Sequence, residues 1–174
     1  AWKKKQKYKN INIFIIGNFN LIKKQLYILN IKNNLKKVLN LNYEDLYKNL
    51  FVYDVPLNFK NAFKINSKSK AKYVIKCFEI AIKLSKLKKI HGFINCPVNK
   101  KDIFKSNHGV TEFLARKSNI LGKEAMIIFN KKLSVSPITT HIKLKQVSKN
   151  LSKKIIYEKV KTINQFYIDK FGFK

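Results

Sequence analysis

The sequence predicts an α/β protein, and three observations carry that expectation. Short apolar runs rich in Ile, Val and Phe alternate with stretches whose apolar residues recur at helical spacing. One such run, Phe93-Ile94-Asn95-Cys96, stops abruptly at Pro97, Asn99 and Lys100, as a buried strand does when it opens into a functional loop. In open α/β sheets, ligands sit outside the carboxyl ends of the strands. With 174 residues and 45% hydrophobic content, the chain has the material for a packed core.

Taken in order, Ile11 to Ile16 is a compact apolar run closed by Gly17-Asn18, a strand followed by a turn. Leu21 to Leu29 reads as a short helix. The Asn-rich stretch from Leu35 to Leu50 is ambiguous. Phe51 to Val55 reads as a strand halted by Pro56, and Leu57 to Asn66 as a connection. Ser67 to Leu87 is the strongest helix: Ala71, Val74, Ile75, Phe78, Ile82 and Leu84 form one face, with Lys opposite. His91-Gly92 breaks that pattern, and Gly92 to Cys96 follows as a strand. Thr111 to Ser118 is helical. Ala125 to Phe129 and Leu133 to Thr140 read as strands around an Asn130-Lys131-Lys132 turn, with Pro137 marking an edge or bulge. A long amphipathic helix starts at Ile142, breaks near Asn150 and stops at Gly172.

The formal net charge is +29, from 38 Lys plus Arg against 9 Asp plus Glu. Alone, that balance points to nucleic acid or a membrane. The basic residues are almost all Lys, however, and Arg116 is the single Arg. Lys, Asn and Ile share A/T-rich codons, so base composition inflates all three together. A groove reading nucleic acid needs Arg for bidentate contacts. The expectation is therefore solvated Lys on helix surfaces, with no nucleic-acid and no membrane partner. A phosphorylated small substrate suits the same positive surface. Cys77 and Cys96 form neither a disulfide framework nor a metal spacing; two buried, reduced thiols in a cytoplasmic protein are expected. No apolar run approaches the length of a membrane span.

Candidate chemistry gathers around the loop after Cys96. Asn99 and Lys100 could orient and neutralise an anion. Thr111, after Gly109, places a hydroxyl at a helix start where free N–H groups favour phosphate or carboxylate; a plain helix cap is an equal reading. His141, after Thr139-Thr140, could be a metal ligand, a general base or a capping residue. His91 reads as a surface or turn residue. Three His without an H-x-x-x-H spacing do not make a metal site, so co-ligands of His141 would lie outside this chain.

In combination these pieces are more specific. Cys96-Pro97-Val98-Asn99-Lys100, then Gly109-Val110-Thr111-Glu112-Phe113-Leu114, then Thr139-Thr140-His141-Ile142-Lys143-Leu144 resemble the 4-hydroxythreonine-4-phosphate dehydrogenase family of pyridoxal phosphate biosynthesis. Ile11 to Asn18 resembles that family's early strand ending in Gly-Asp. The resemblance implies a homodimer with a two-lobed fold similar to isocitrate and isopropylmalate dehydrogenases. Here 1–98 would belong to the first lobe and 99–174 to the second, with the substrate and metal loop and the long helix. It implies oxidation of 4-phosphohydroxythreonine by NAD, with decarboxylation to 3-amino-2-oxopropyl phosphate. It also implies a divalent ion, Zn, Mg or Co, held by three His, of which His141 matches the first. Thr111 matches a substrate-contacting Thr.

Two departures stand out. The family's His before that Thr is Val110, which can neither donate nor accept; His108 is a possible substitute. The family's opening Gly-rich segment and its later N-P-H and Y-H-D segments, with two metal His and the expected cofactor site, are absent. The expectation is an internal fragment, inactive alone. Competing readings are a dehydrogenase of another four-carbon acid 4-phosphate (threonate or erythronate 4-phosphate), a basic nucleic-acid-binding protein, and a non-catalytic paralogue.

Overall fold

The computed structural model describes residues 11–40, 49–99, 101, 103, 109–130, 132–140 and 142–172. It divides into two compact units, Ala1–Gly109 and Val110–Lys174.

The first unit is built on a three-stranded parallel sheet. β1 (Ile15–Gly17) leads into helix α1 (Phe19–Ile28), followed by β2 (Leu35–Val38) and β3 (Leu50–Asp54). The sheet order is β1-β3-β2, with Ile15 opposite Val52, Gly17 opposite Asp54 and Leu35 opposite Leu50. β3 is central, and Leu50, Phe51 and Val52 are all buried. A strand flanked on both sides and covered on both faces is apolar throughout rather than alternating, which is why Leu50-Phe51-Val52 is continuous. Helix α2 (Ser67–Lys86) packs against β1 and turns Phe78, Ala81, Ile82 and Leu84 into the core. Its helical period then leaves Lys68, Lys72, Lys76, Lys83 and Lys86 exposed on the outer face, while Lys70 is half-buried.

Local chemistry sets the helix boundaries. Asn18 caps α1, and Asn66 caps α2 by accepting the Ser69 amide at 2.8 Å. α1 and α2 end alike. Asn30 (φ 52°) and Lys88 (φ 54°) take left-handed backbone, and the next amide reaches back to the last turn, Ile31 to the Leu26 carbonyl and Lys89 to that of Leu84, each at 2.9 Å.

The second unit opens with α3 (Val110–Lys117), closed in the same way by Asn119 (φ 60°) and an Ile120 amide bond to the Ala115 carbonyl at 2.9 Å. A 3-10 turn (Leu144–Gln146) runs into α4 (Val147–Asn150). The chain breaks at Leu151, and Ser152 caps α5 (Lys153–Phe171). Gly172 stops α5 at φ 68°. Tyr167 donates to the Ser134 hydroxyl at 3.4 Å, and the Lys159 ammonium donates to the Glu124 carbonyl, tying α5 to the segment before α4. No residue of α5 is buried.

Several expectations are corrected. β1 begins at Ile15 rather than Ile11. Gly92 to Cys96 is not a strand, and Ile94 is 96% exposed. A strand exists only as one side of a ladder, and among the described residues none pairs with this run. Phe93 lies against α2, with its ring 6.4 Å from that of Phe78. Among the described residues the strands expected at Ala125–Phe129 and Leu133–Thr140 shrink to a single antiparallel bridge, Ile128 with Val135, its two bonds at 2.8 and 3.0 Å. Cys96, expected buried, is exposed because its strand is not formed; Cys77 is half-buried, and both are free thiols.

Candidate functional site

The carboxyl ends of β1 and β3 meet at Gly17-Asn18 and Asp54-Val55, the position where an open parallel sheet presents its ligand site. Asn18 organises it. Its side-chain oxygen accepts the Leu21 amide at 2.9 Å, its side-chain nitrogen donates to the Val55 carbonyl at 3.0 Å, and its backbone amide donates to the Tyr73 hydroxyl at 2.6 Å. Asn18 is the buried polar residue of the described core, and these three bonds make its burial tolerable. Gly17 lets α2 approach closely: a Cβ there would lie 3.0 Å from the Tyr73 hydroxyl and 3.2 Å from Ile22 Cδ1.

Asp54 accepts the Phe19 amide at 2.8 Å and pairs with Lys37 at 2.7 Å. Burial pushes its carboxyl up, but the bonds from Lys37 and from the Phe19 amide outweigh it and hold the group below the ordinary carboxylate value. Burial pushes the Tyr73 hydroxyl well above its ordinary range, and the neighbouring Cys77 adds to it. Burial likewise raises the Cys77 thiol to about 11, opposed by the hydrogen bond from Tyr73. A thiol so raised is protonated at neutral pH and a poor nucleophile. Sequence reasoning missed this cluster. Its signals were the i, i+4 pair Tyr73 and Cys77 in α2 and an acidic residue, Asp54, closing an apolar strand. The amides of Phe19 and Leu21 at the α1 N-terminus are taken by Asp54 and Asn18, so the turn is braced from within rather than left open to a pyrophosphate.

Asn99, Val110 and Thr111 take no part in these bonds. Asn99 is exposed, and its carbonyl accepts the Ile103 amide at 3.2 Å, which starts a helical turn. Thr111 is exposed in the first turn of α3, beside half-buried Val110 and Glu112. Asn99 belongs to the first unit, Val110 and Thr111 to the second. Lys100, His108 and His141 lie outside the described residues. Thr139, before His141, is half-buried and Thr140 exposed. Exposed His91 fits its surface reading. Among the described residues no group of three His, Cys, Asp or Glu is placed to hold a metal ion, so no described donor set fits a divalent cation. Among them, too, no helix is long and apolar enough to cross a membrane.

The order of these pieces along a parallel α/β scaffold is matched by known proteins. Residues 9–174 fit the family model described as pyridoxal phosphate biosynthetic protein PdxA. The chain belongs to the PdxA family. It is 33% identical over 172 residues to a 4-hydroxythreonine-4-phosphate dehydrogenase of Sulfurihydrogenibium sp. (strain YO3AOP1), covering 94% of this chain and 51% of that protein. It is 39% identical over 88 residues to the enzyme of the same name from Aquifex aeolicus (strain VF5), covering 49% of this chain and 27% of that protein. Among solved structures, a Klebsiella pneumoniae 4-hydroxythreonine-4-phosphate dehydrogenase superposes with a TM-score of 0.74 at 22% identity, over 88% of this chain and 48% of that one. A Salmonella typhimurium protein provisionally given the same name reaches a TM-score of 0.81 at 19% identity, over 99% of this chain and 55% of that one. At such identities the superpositions speak for fold. The α/β class with a parallel sheet is shared with PdxA structures, and the family is one of dehydrogenases. The chain spans about half the length of its Sulfurihydrogenibium relative.

Proposed function

We propose that this PdxA chain forms part of a 4-hydroxythreonine-4-phosphate dehydrogenase that oxidises the secondary alcohol of 4-phosphohydroxythreonine with NAD, after which the β-keto acid loses CO₂ to give 3-amino-2-oxopropyl phosphate. The observation that carries it is the family match over residues 9–174, which takes in all three motifs in order. In this reading the complete protein is a cytoplasmic homodimer with a two-lobed isocitrate dehydrogenase-like fold, and this segment alone is inactive.

Thr111 sits exposed in the first turn of α3, where its hydroxyl and the positive end of the helix dipole favour the substrate's phosphate or carboxylate. In this reading Asn99 and Lys100 orient and neutralise an anion. Val110 offers no hydrogen bond, so it shapes the pocket without reading a polar substituent. A nicotinamide would take the hydride and a divalent ion would polarise the alcohol; apart from His141, no residue of this chain is assigned to hold either.

Val110 also favours a second reading, a dehydrogenase of threonate or erythronate 4-phosphate, because it alters the part of the site that distinguishes substrates. The test is NADH formation by the whole gene product carrying this chain, with 4-phosphohydroxythreonine and with the two sugar-acid phosphates, beside the 174-residue chain. Turnover of the first substrate, lost from the short chain, supports the proposal. Turnover of a sugar-acid phosphate alone moves the assignment to the sister reaction, and no turnover of any ends the dehydrogenase reading.

A further inference from the structure

The outer face of α2 holds a feature that the dehydrogenase reading does not use. Lys68, Lys72, Lys76, Lys83 and Lys86 are all exposed. At 100° per residue they fall within an arc of about 80°, opposite the buried Ala81 and about 120° from the buried Phe78 and Leu84, and span about 27 Å along the helix. Glu79 is the single acidic residue in that arc. Among the described residues none of the five lysines forms an ion pair. Lys68, Lys72 and Lys76 follow one another at i, i+4, a spacing at which like charges destabilise a helix. Such a row is relieved by an external line of negative charge.

We propose that this lysine row is a docking surface for the phosphate backbone of duplex nucleic acid, bound without regard to sequence. The span faces about eight successive phosphate levels of one strand, at about 3.4 Å each. Lysine without arginine or aromatic residues in the row suits point contacts to phosphate and excludes base readout and stacking. The scarcity of Arg argues against sequence-specific recognition; it leaves backbone binding open. A membrane surface fits less well, because the apolar face of α2 is buried in the core and cannot insert.

The test uses the 174-residue chain and two fluorescein-labelled DNA duplexes of unrelated sequence, with anisotropy titrations over a range of salt. Each phosphate contact adds about 0.9 to the slope of log affinity against log salt. The expected wild-type slope is about 4 to 5 and equal for both duplexes. The K68Q/K72Q/K76Q variant is expected to lose about 3 of it, with helicity by circular dichroism retained because like-charge repulsion is removed. A control, K153Q/K154Q/K161Q on α5, lowers net charge equally and is expected to change the slope by less than about 1. Equal losses in the two variants would reduce the effect to net charge and overturn the proposal. So would an absence of binding at low salt, or binding to vesicles of anionic phospholipid without binding to either duplex.

Discussion

Replacing Asn18 by alanine should weaken the first unit more than the loss of an ordinary helix cap. The substitution removes two side-chain bonds, to the Leu21 amide and to the Val55 carbonyl. Losing a cap costs about 1 kcal/mol, within a range of about 0.5–2. The Val55 carbonyl belongs to a residue only 1% exposed, so leaving it without its donor adds about 1–3 kcal/mol. The expected total is about 2–4 kcal/mol. Asn66→Ala supplies the comparison: its side chain caps α2 in solvent through one bond, to Ser69, and its loss should cost about 1 kcal/mol. Asn18→Ser keeps a capping oxygen and loses only the donor to Val55, so it should fall between the two. Urea unfolding followed by far-ultraviolet circular dichroism measures all three, provided the slopes agree. An Asn18→Ala cost no larger than that of Asn66→Ala would refute the reasoning, because the link between the β1 turn and Val55 would then contribute nothing.

Further outcomes follow from neighbouring geometry. Gly17→Ala should cost about 1–3 kcal/mol in the same assay, because its Cβ would press on a Tyr73 hydroxyl already held by the Asn18 amide. The Cys77 thiol is raised from 9.0 to about 11 in the folded chain, so its contribution is fully present below pH 9.0 and lost as pH rises toward the folded value. Thermal unfolding midpoints between those pH values should therefore fall more steeply in the wild type than in Cys77→Val; parallel curves would remove the burial of the thiol as a cause. Ile94→Ser should change stability by less than about 0.5 kcal/mol, as for an exposed residue. A loss of about 2 kcal/mol or more would mean that Gly92 to Cys96 is a packed strand after all.

Elements whose cause is local were legible in the sequence. α2 carries a clear helical period with Asn66 at its head, β3 is a continuous apolar run, and Gly172 stops α5. Elements that depend on a distant partner were not. Phe93-Ile94-Asn95-Cys96 has strand-like residues, but a ladder is a property of two segments, and the run stays unpaired among the described residues. The same holds for Ala125–Phe129 and Leu133–Thr140, of which one bridge survives. α5 has its apolar residues at helical spacing, yet Ile155, Val160 and Phe166 remain exposed, because periodicity says which face could be covered and not what covers it. In the candidate site, Thr111 at the start of a helix was readable from Gly109 and the apolar run behind it. The Asn18, Asp54 and Tyr73 bracing was not, since it joins residues 35 to 55 positions apart. The family motifs singled out His141, and no physical pattern in the chain would have done so by itself.

The helix endings carry a consequence for how such a chain can evolve. Glycine is the usual residue in the left-handed position that closes a helix, yet this protein holds only 5 glycines, and α1, α2 and α3 close on Asn30, Lys88 and Asn119. The reverse bonds of Ile31, Lys89 and Ile120 are intact at all three. Asparagine tolerates left-handed backbone better than other side chains, whereas a lysine there carries about 1 kcal/mol of strain. A genome drifting toward A/T-rich codons can therefore exchange glycine for asparagine at these stops without unravelling its helices. At Lys88 the left-handed position holds a residue without that tolerance, and Lys88→Gly is expected to return stability.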